Sequence, residues 1–180
     1  MKNLVLFGTL VLFLASCTNV VFVSPQPEYI DALTEIPEKY HGIYEFEDST
    51  INKDSYLVTD SSVGEFVLGD NLIVKQIGSY FYLNFFEENA YAVYVVKITH
   101  ALNYENIEML FPNITDENAY LFNILNIEEI KAYDKDQFMF KSRPDYLIDK
   151  VSVNQMRVLL HQPISDDIVK LKRIKYFYEF

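Results

Sequence analysis

One cysteine, no tryptophan, five glycines and six prolines stand in a chain of 180 residues. A lone cysteine excludes an internal disulfide and a thiolate zinc site. Basic residues are scarce, 15 against 26 acids, and such an excess of negative charge opposes contact with nucleic acid, whose phosphates need clustered Lys and Arg. Long hydrophobic runs are lacking too. The longest, Leu4 to Leu14, is broken by Gly8 and Thr9 and is too short to cross a bilayer. No Gly-x-Ser-x-Gly elbow, His-x-x-His pair or His-Glu-x-x-His motif occurs, which removes the usual signatures of serine hydrolases and zinc enzymes. What the chain does have is core material: 14 Tyr, 14 Phe and half of all residues apolar.

The apolar run follows a single Lys2 and ends on Leu14-Ala15-Ser16-Cys17. A charged start, a short apolar centre and small residues before a cut describe a secretory signal segment. The final tetrad resembles the lipobox of bacterial lipoproteins. That resemblance implies cleavage before Cys17, with diacylglycerol on its thiol and usually an amide-linked acyl chain, so residues 1–16 are read as a signal peptide. Two or more acyl chains make anchoring stable where one is marginal. Losing residues 1–16 takes Lys2 away and leaves 164 residues with 26 acids against 14 bases, a net charge of −12. That length suits a single domain.

Residues 17–38 are read as the lipidated N-terminus and a linker, on account of Pro25, Pro27 and Pro37. Within it Val20-Val21-Phe22-Val23 is unusually apolar for a tether, and either packs on the domain or lies near the lipid. Residues 39–180 form one β-rich domain. Pro37 to Phe46, which enters the first, Ser55 to Thr59, Glu65 to Leu68, Leu72 to Ile77, Tyr80 to Phe85, Tyr91 to Ile98, Gln137 to Lys141 and Ile168 to Phe180 read as strands, and Leu102 to Phe111 as a strand or a strand and loop. Most are separated by short turns such as Gly69-Asp70-Asn71, Gly78-Ser79 and Glu87-Glu88-Asn89. Short turns pair neighbours antiparallel, so the expected fold is mainly β: an antiparallel meander forming a curled sheet or small barrel. One helix, Ser152 to His161, is expected to pack on it, with a capping-box spacing between Ser152 and Gln155 and a stripe of Val153, Met156 and Leu160.

Tyr80 to Phe85 and Tyr91 to Val96 are apolar on both faces, and a sheet with one wet face would alternate. Something must therefore cover the second face. Gly42-Ile43-Tyr44 resembles the Gly-x-Trp opening of lipocalins with Tyr in place of Trp, a match of three residues that implies an antiparallel β-rich domain. The lipobox with an acidic, tyrosine-rich, tryptophan-free domain is similar to small envelope lipoproteins of Bacteroidetes-like bacteria. This implies a lipid-anchored place in the cell envelope, at the outer membrane.

Chemistry-bearing residues are dispersed. His41, His100 and His161 share no motif, and the acid pairs Glu45 with Glu47, Glu87-Glu88 and Asp166-Asp167 are explained by solvation of an acidic surface. Asp134-Lys135-Asp136 lacks the Gly and distal Glu of a calcium loop. Asn113-Ile114-Thr115 fits a glycosylation acceptor, and Asp48-Ser49-Thr50 resembles an O-glycosylation signal of envelope proteins in such bacteria. Lys170, Lys172, Arg173 and Lys175 read as a strand face. No catalytic, metal or cofactor residue is assigned, and Cys17 is the one site named, for lipidation. The expected function is a membrane-anchored, non-catalytic binding or interaction module for an envelope protein or extracellular ligand. A small hydrolase with a carboxylate pair and a β-barrel carrier of an apolar ligand are the alternatives. A cavity lined by Phe66, Leu68, Phe81, Leu83, Val93 and Val95 favours the carrier.

The anchor is testable on its own. Wild-type chain is expected to take up an alkyne fatty acid and stay with the membrane fraction. Cys17→Ser behind a standard cleavable signal is expected to carry no label and be soluble, and equal labelling of both would refute Cys17 as the acceptor.

Overall fold

The structure is a computed structural model that describes residues 20–47, 55–87, 89–101, 104–112, 114, 119–127, 146–160 and 169–176. Eleven strands form one sheet. Its centre is the hairpin stack β6 (Leu72–Ile77), β7 (Tyr80–Glu87), β8 (Ala90–Ala101) and β9 (Tyr104–Leu110), all antiparallel, with Tyr82 opposite Val95 and Ile98 opposite Ile107. The connecting turns use the residues suited to them. Gly78 and Asn89 sit at φ of 60° and 77°, a left-handed conformation that Gly and Asn enter with least strain. One wing continues from β9 through β11 (Val169–Tyr176), β2 (Gly42–Phe46), β3 (Ser55–Val58), β4 (Ser62–Val63) and β5 (Phe66–Val67). On the other side β1 (Val20–Phe22) pairs with β8 and with β10 (Tyr146–Ile148).

The expected antiparallel meander, curled or closed into a small barrel with one helix on it, is corrected here. The sheet is open, its order running from β10 to β5, with β6, paired to β7, at a further edge whose outer side meets, among the described residues, only single bridges to Ala32 and Leu68. It is also mixed, because β1 and β10 run parallel, and among the described residues it carries two helices, α1 (Leu121–Leu125) and α2 (Val153–Leu160). The reason lies in β8. β7 occupies one of its edges from Ala90 to Lys97, so β1, at residues 91 and 92, and β9, at 95 to 101, must share the other edge end to end. Short turns dictate β6 to β9. They say nothing about the distant partners that β1, β10 and β11 find.

Both faces of the central strands are buried, as their sequence requires. Tyr82, Val93 and Val95 lie under the helices with Val20, Phe22, Phe122, Met156 and Leu159, whereas Phe81, Phe85, Ala92, Tyr94 and Ile98 face a second core with Tyr40, Tyr44, Phe66 and Leu171. The stretch Val20-Val21-Phe22 is therefore a strand whose side chains are buried. The expected strand Gln137 to Lys141 lies outside the described residues.

After β1 the chain crosses the helix-side face as a strap, and a polar clamp holds it. Gln26 and Asn84 are both fully buried. The Gln26 amide donates to Asn84 Oδ1, and Asn84 Nδ2 donates to the carbonyls of Gln26 (2.9 Å), Ile73 and Tyr82. Gln26 Oε1 accepts from the Val151 amide at 2.8 Å. Beside them, Lys75 Nζ donates to the carbonyls of Pro25 and Pro27 at 2.8 and 2.9 Å. The strap's backbone has no ladder partner here, so side chains satisfy the groups that burial takes from water.

Helix α2 begins as its sequence predicts. Ser152 N donates to Gln155 Oε1 at 2.7 Å, Gln155 N donates to Ser152 Oγ at 3.3 Å, and Gln155 Nε2 reaches the Leu125 carbonyl that ends α1. Met156, Leu159 and Leu160 are buried against the sheet. Met156→Asp is expected to cost several kcal/mol through an unpaired buried charge, and Asn154→Asp, on the exposed side, to change little. Thermal melts of the two variants check this, and equal melting temperatures would show that the helix contributes no packing.

Candidate apolar binding cavity

The face of the sheet away from the helices encloses an apolar cavity of about 110 Å³. Its walls come from both wings, because the β2 to β5 wing is brought against β6 to β8: the Phe66 ring of β5 meets Phe85 of β7 edge-on at 4.5 Å. Tyr40, from the 3-10 turn Glu38–Tyr40, packs edge-on against Phe81 at 4.7 Å, and Phe85 likewise against Tyr94 at 5.5 Å. Such edge-to-face pairs hold rings in fixed orientations, which keeps the space between them from collapsing. The remaining wall is aliphatic and includes Val74, Leu83, Val96, Ile107 and Leu171. Tyr44 also lines the cavity, with its hydroxyl turned away to donate to the Tyr40 carbonyl at 2.6 Å.

Two polar features border this space. Gly64 and Glu65, on the turn between β4 and β5, line the cavity and are solvent-exposed, which places its mouth there. Glu65 is the one acid or base among the lining residues. Behind Tyr44, the Arg173 guanidinium stacks over the ring at 5.2 Å, donates through Nη1 to the Lys39 carbonyl at 2.7 Å and through Nη2 to Glu105 at 2.9 Å. This ties the 3-10 turn to β11 and β9, so that Tyr40 is fixed across the cavity. Lys170 and Lys172 of the same basic stretch are exposed, whereas Leu171 and Arg173 turn inward. The strand-face reading of this stretch holds for those residues, and the Lys175 side chain is outside what the structure describes.

Of six expected wall residues, Phe66, Phe81 and Leu83 line the cavity and Leu68 packs against the same core. Val93 and Val95 instead face the helices, and their neighbours Tyr94, Val96 and Ile98 form the wall. A strand apolar on both faces gives no signal for which set points where, because a shift of one residue exchanges the faces. Tyr40, Val74, Ile107 and Leu171 were not singled out by sequence. They belong to segments remote in the chain, and only their alternation marked them as inward-facing.

The dispersed polar candidates do not converge. His41 is half-buried, its Nε2 2.8 Å from the Ile36 carbonyl, and His100 is exposed, 3.5 Å from Glu105. Glu45 and Glu47 are half-buried and exposed on or beside β2, and Glu87 ends β7. Cys17, Asp48-Ser49-Thr50, Glu88, Asn113, Thr115, residues 134–136, His161 and residues 166–167 lie outside the described residues. Among the described residues no group of three His, Cys, Asp or Glu is placed to hold a metal, and no helix is long and apolar enough to cross a membrane. No protein-family model, curated protein or solved structure matches the chain.

The titrating groups with displaced pKa values stand on the other side of the sheet. Burial holds the Lys75 ammonium below the usual lysine range, against the attraction of Glu28 and Asp31. Glu108 is held below the usual carboxylate range, first by the Asn106 amide donating at 2.9 Å and then by Lys97 at 3.3 Å, with desolvation acting the other way. Because Glu108 stays charged in the fold, the unfolded chain takes up the proton first on acidification. Its contribution to stability is full above 4.5, the ordinary value, and is lost as pH falls through the depressed folded pKa. The melting-temperature difference between wild type and Glu108→Gln should therefore be constant near neutrality and shrink below pH 4.5. A difference that does not change with pH would show that the carboxylate's charge plays no part.

Proposed function

We propose that the protein is a lipid-anchored, non-catalytic binding module of the bacterial cell envelope, at the outer membrane, and that its ligand is a small apolar group seated in this cavity. The cavity is the observation that supports the reading. An apolar cavity of about 150 Å³ engineered into another protein stays dry and accepts benzene. At about 110 Å³, the space here suits a single small ring or a short alkyl segment. A sugar or a peptide backbone would lose its hydrogen bonds on entering a wall that offers almost no polar partner. Glu65 at the mouth, on a chain of net charge −11, disfavours an anionic head group, so the ligand is a neutral or cationic amphiphile. The lipid on Cys17 keeps this cavity at a membrane surface, where such molecules concentrate.

Binding is tested with the mature chain carrying Cys17→Ser and a neutral naphthylamine probe that fluoresces in apolar surroundings. Wild-type cavity is expected to bind it saturably. Leu83→Trp, which fills the cavity from β7, is expected to weaken binding by about tenfold or more, equivalent to about 1.4 kcal/mol, without lowering the melting temperature. Glu65→Gln is expected to admit an anionic naphthalene sulfonate that wild type rejects. Probe binding unaffected by Leu83→Trp would place the ligand elsewhere.

A further inference from the structure

Helix α1 and its N-cap expose two large apolar side chains, flanked by the exposed Asn123 and Asn126. Leu121 and Phe122 are buried, while Tyr120 and Ile124 are 56% and 65% exposed, and residues four apart on a helix are neighbours on its surface. Residues 119–127 contain no charged side chain in a chain with 26 acids and 15 bases. The place of this patch in the fold identifies what it meets. The Phe122 ring packs on Tyr146 at 5.2 Å, and Tyr146 is the register partner of Val20, the first residue of β1. Cys17 is three residues before Val20, and three residues of chain reach at most about 10 Å. A lipid on Cys17 would therefore lie within about 10 Å of Val20, on the strand whose register partner Tyr146 packs against Phe122 of α1.

We propose that Tyr120 and Ile124 rest in the interface of the membrane that holds the Cys17 anchor, so that lipid and helix together fix how the domain stands on the surface. The inference depends on the anchored reading above. Tyrosine suits an interface, with an apolar ring and a hydroxyl that stays wet, and isoleucine gains from leaving water. Residues 119–127 themselves carry no charge, so their approach to lipid desolvates no charge of their own.

The test uses the full chain with its own signal, purified with its acyl groups and reconstituted in phosphatidylcholine vesicles. Lipid consumes the thiol of Cys17, so Ile124→Cys supplies a single site for a fluorophore, and Ser61→Cys, exposed on the β3 to β4 turn, supplies the control. Brominated phosphatidylcholine is expected to quench most of the fluorescence at 124 and leave that at 61 unchanged. Intact mass of the same sample reports the acyl adduct. An adduct without quenching at 124 overturns the membrane contact and leaves the anchor standing, and so does a label at 124 shielded from aqueous iodide yet untouched by bromolipid, which signals a protein occupant such as a second copy. Absence of the adduct overturns the anchor and the contact with it.

Discussion

Everything in this fold depends on β8 having no face it can leave in water. Over Ala90 to Val95 its side chains are buried or nearly so on both sides, and each fully buried Val or aromatic side chain stabilises the fold by roughly 1.5 to 3 kcal/mol. A strand of that kind needs two layers. The helices with β1 and β10 supply one, and the wing from β11 to β5 supplies the other. The first is dense, with Val93, Met156 and Leu159 essentially inaccessible. The second spans its gap with aromatic rings set edge to face, and the space left between those rings is the cavity. The cavity is thus a consequence of how the second layer is built, from large stiff residues that cannot fill all the volume between two wings.

The N-terminal strap makes the first layer possible. Pro25 and Pro27 offer no backbone donors, and Gln26 between them is buried, so the strap cannot be a ladder strand. Asn84 replaces the missing ladder with its own amide, reading the Gln26 backbone on both its N–H and its C=O. Gln26 in turn caps the start of the α2 region through Val151. Removing one member would strand the others without water, each at a cost of about 1 to 3 kcal/mol. The clamp also holds the chain that leaves β1 against the sheet.

The net charge suits the proposed acyl anchor. A chain this acidic is kept off anionic surfaces by its own field, and an acyl anchor overcomes the repulsion without basic residues. On the proposed reading, Glu65 at the cavity mouth and the exposed Tyr120 and Ile124 at α1 act separately, the first on what enters and the others on the domain's stance.

Much was legible in the sequence. The turns at Gly69, Gly78 and Asn89 placed β6 and β7 within two residues and β8 within three, Ser152 and Gln155 marked the start of α2, and the doubly apolar strands announced a second layer. These features are local: a left-handed turn, a capping box and an alternation are decided by residues a few positions apart. Tertiary structure alone decided that the sheet stays open, that β11 slips between β9 and β2, that β1 and β10 run parallel, and that Tyr94 instead of Val93 faces the cavity. Those outcomes rest on contacts between segments tens of residues apart, where several pairings would satisfy the same hydrogen bonds and only the packing of side chains on both faces of β8 selects one.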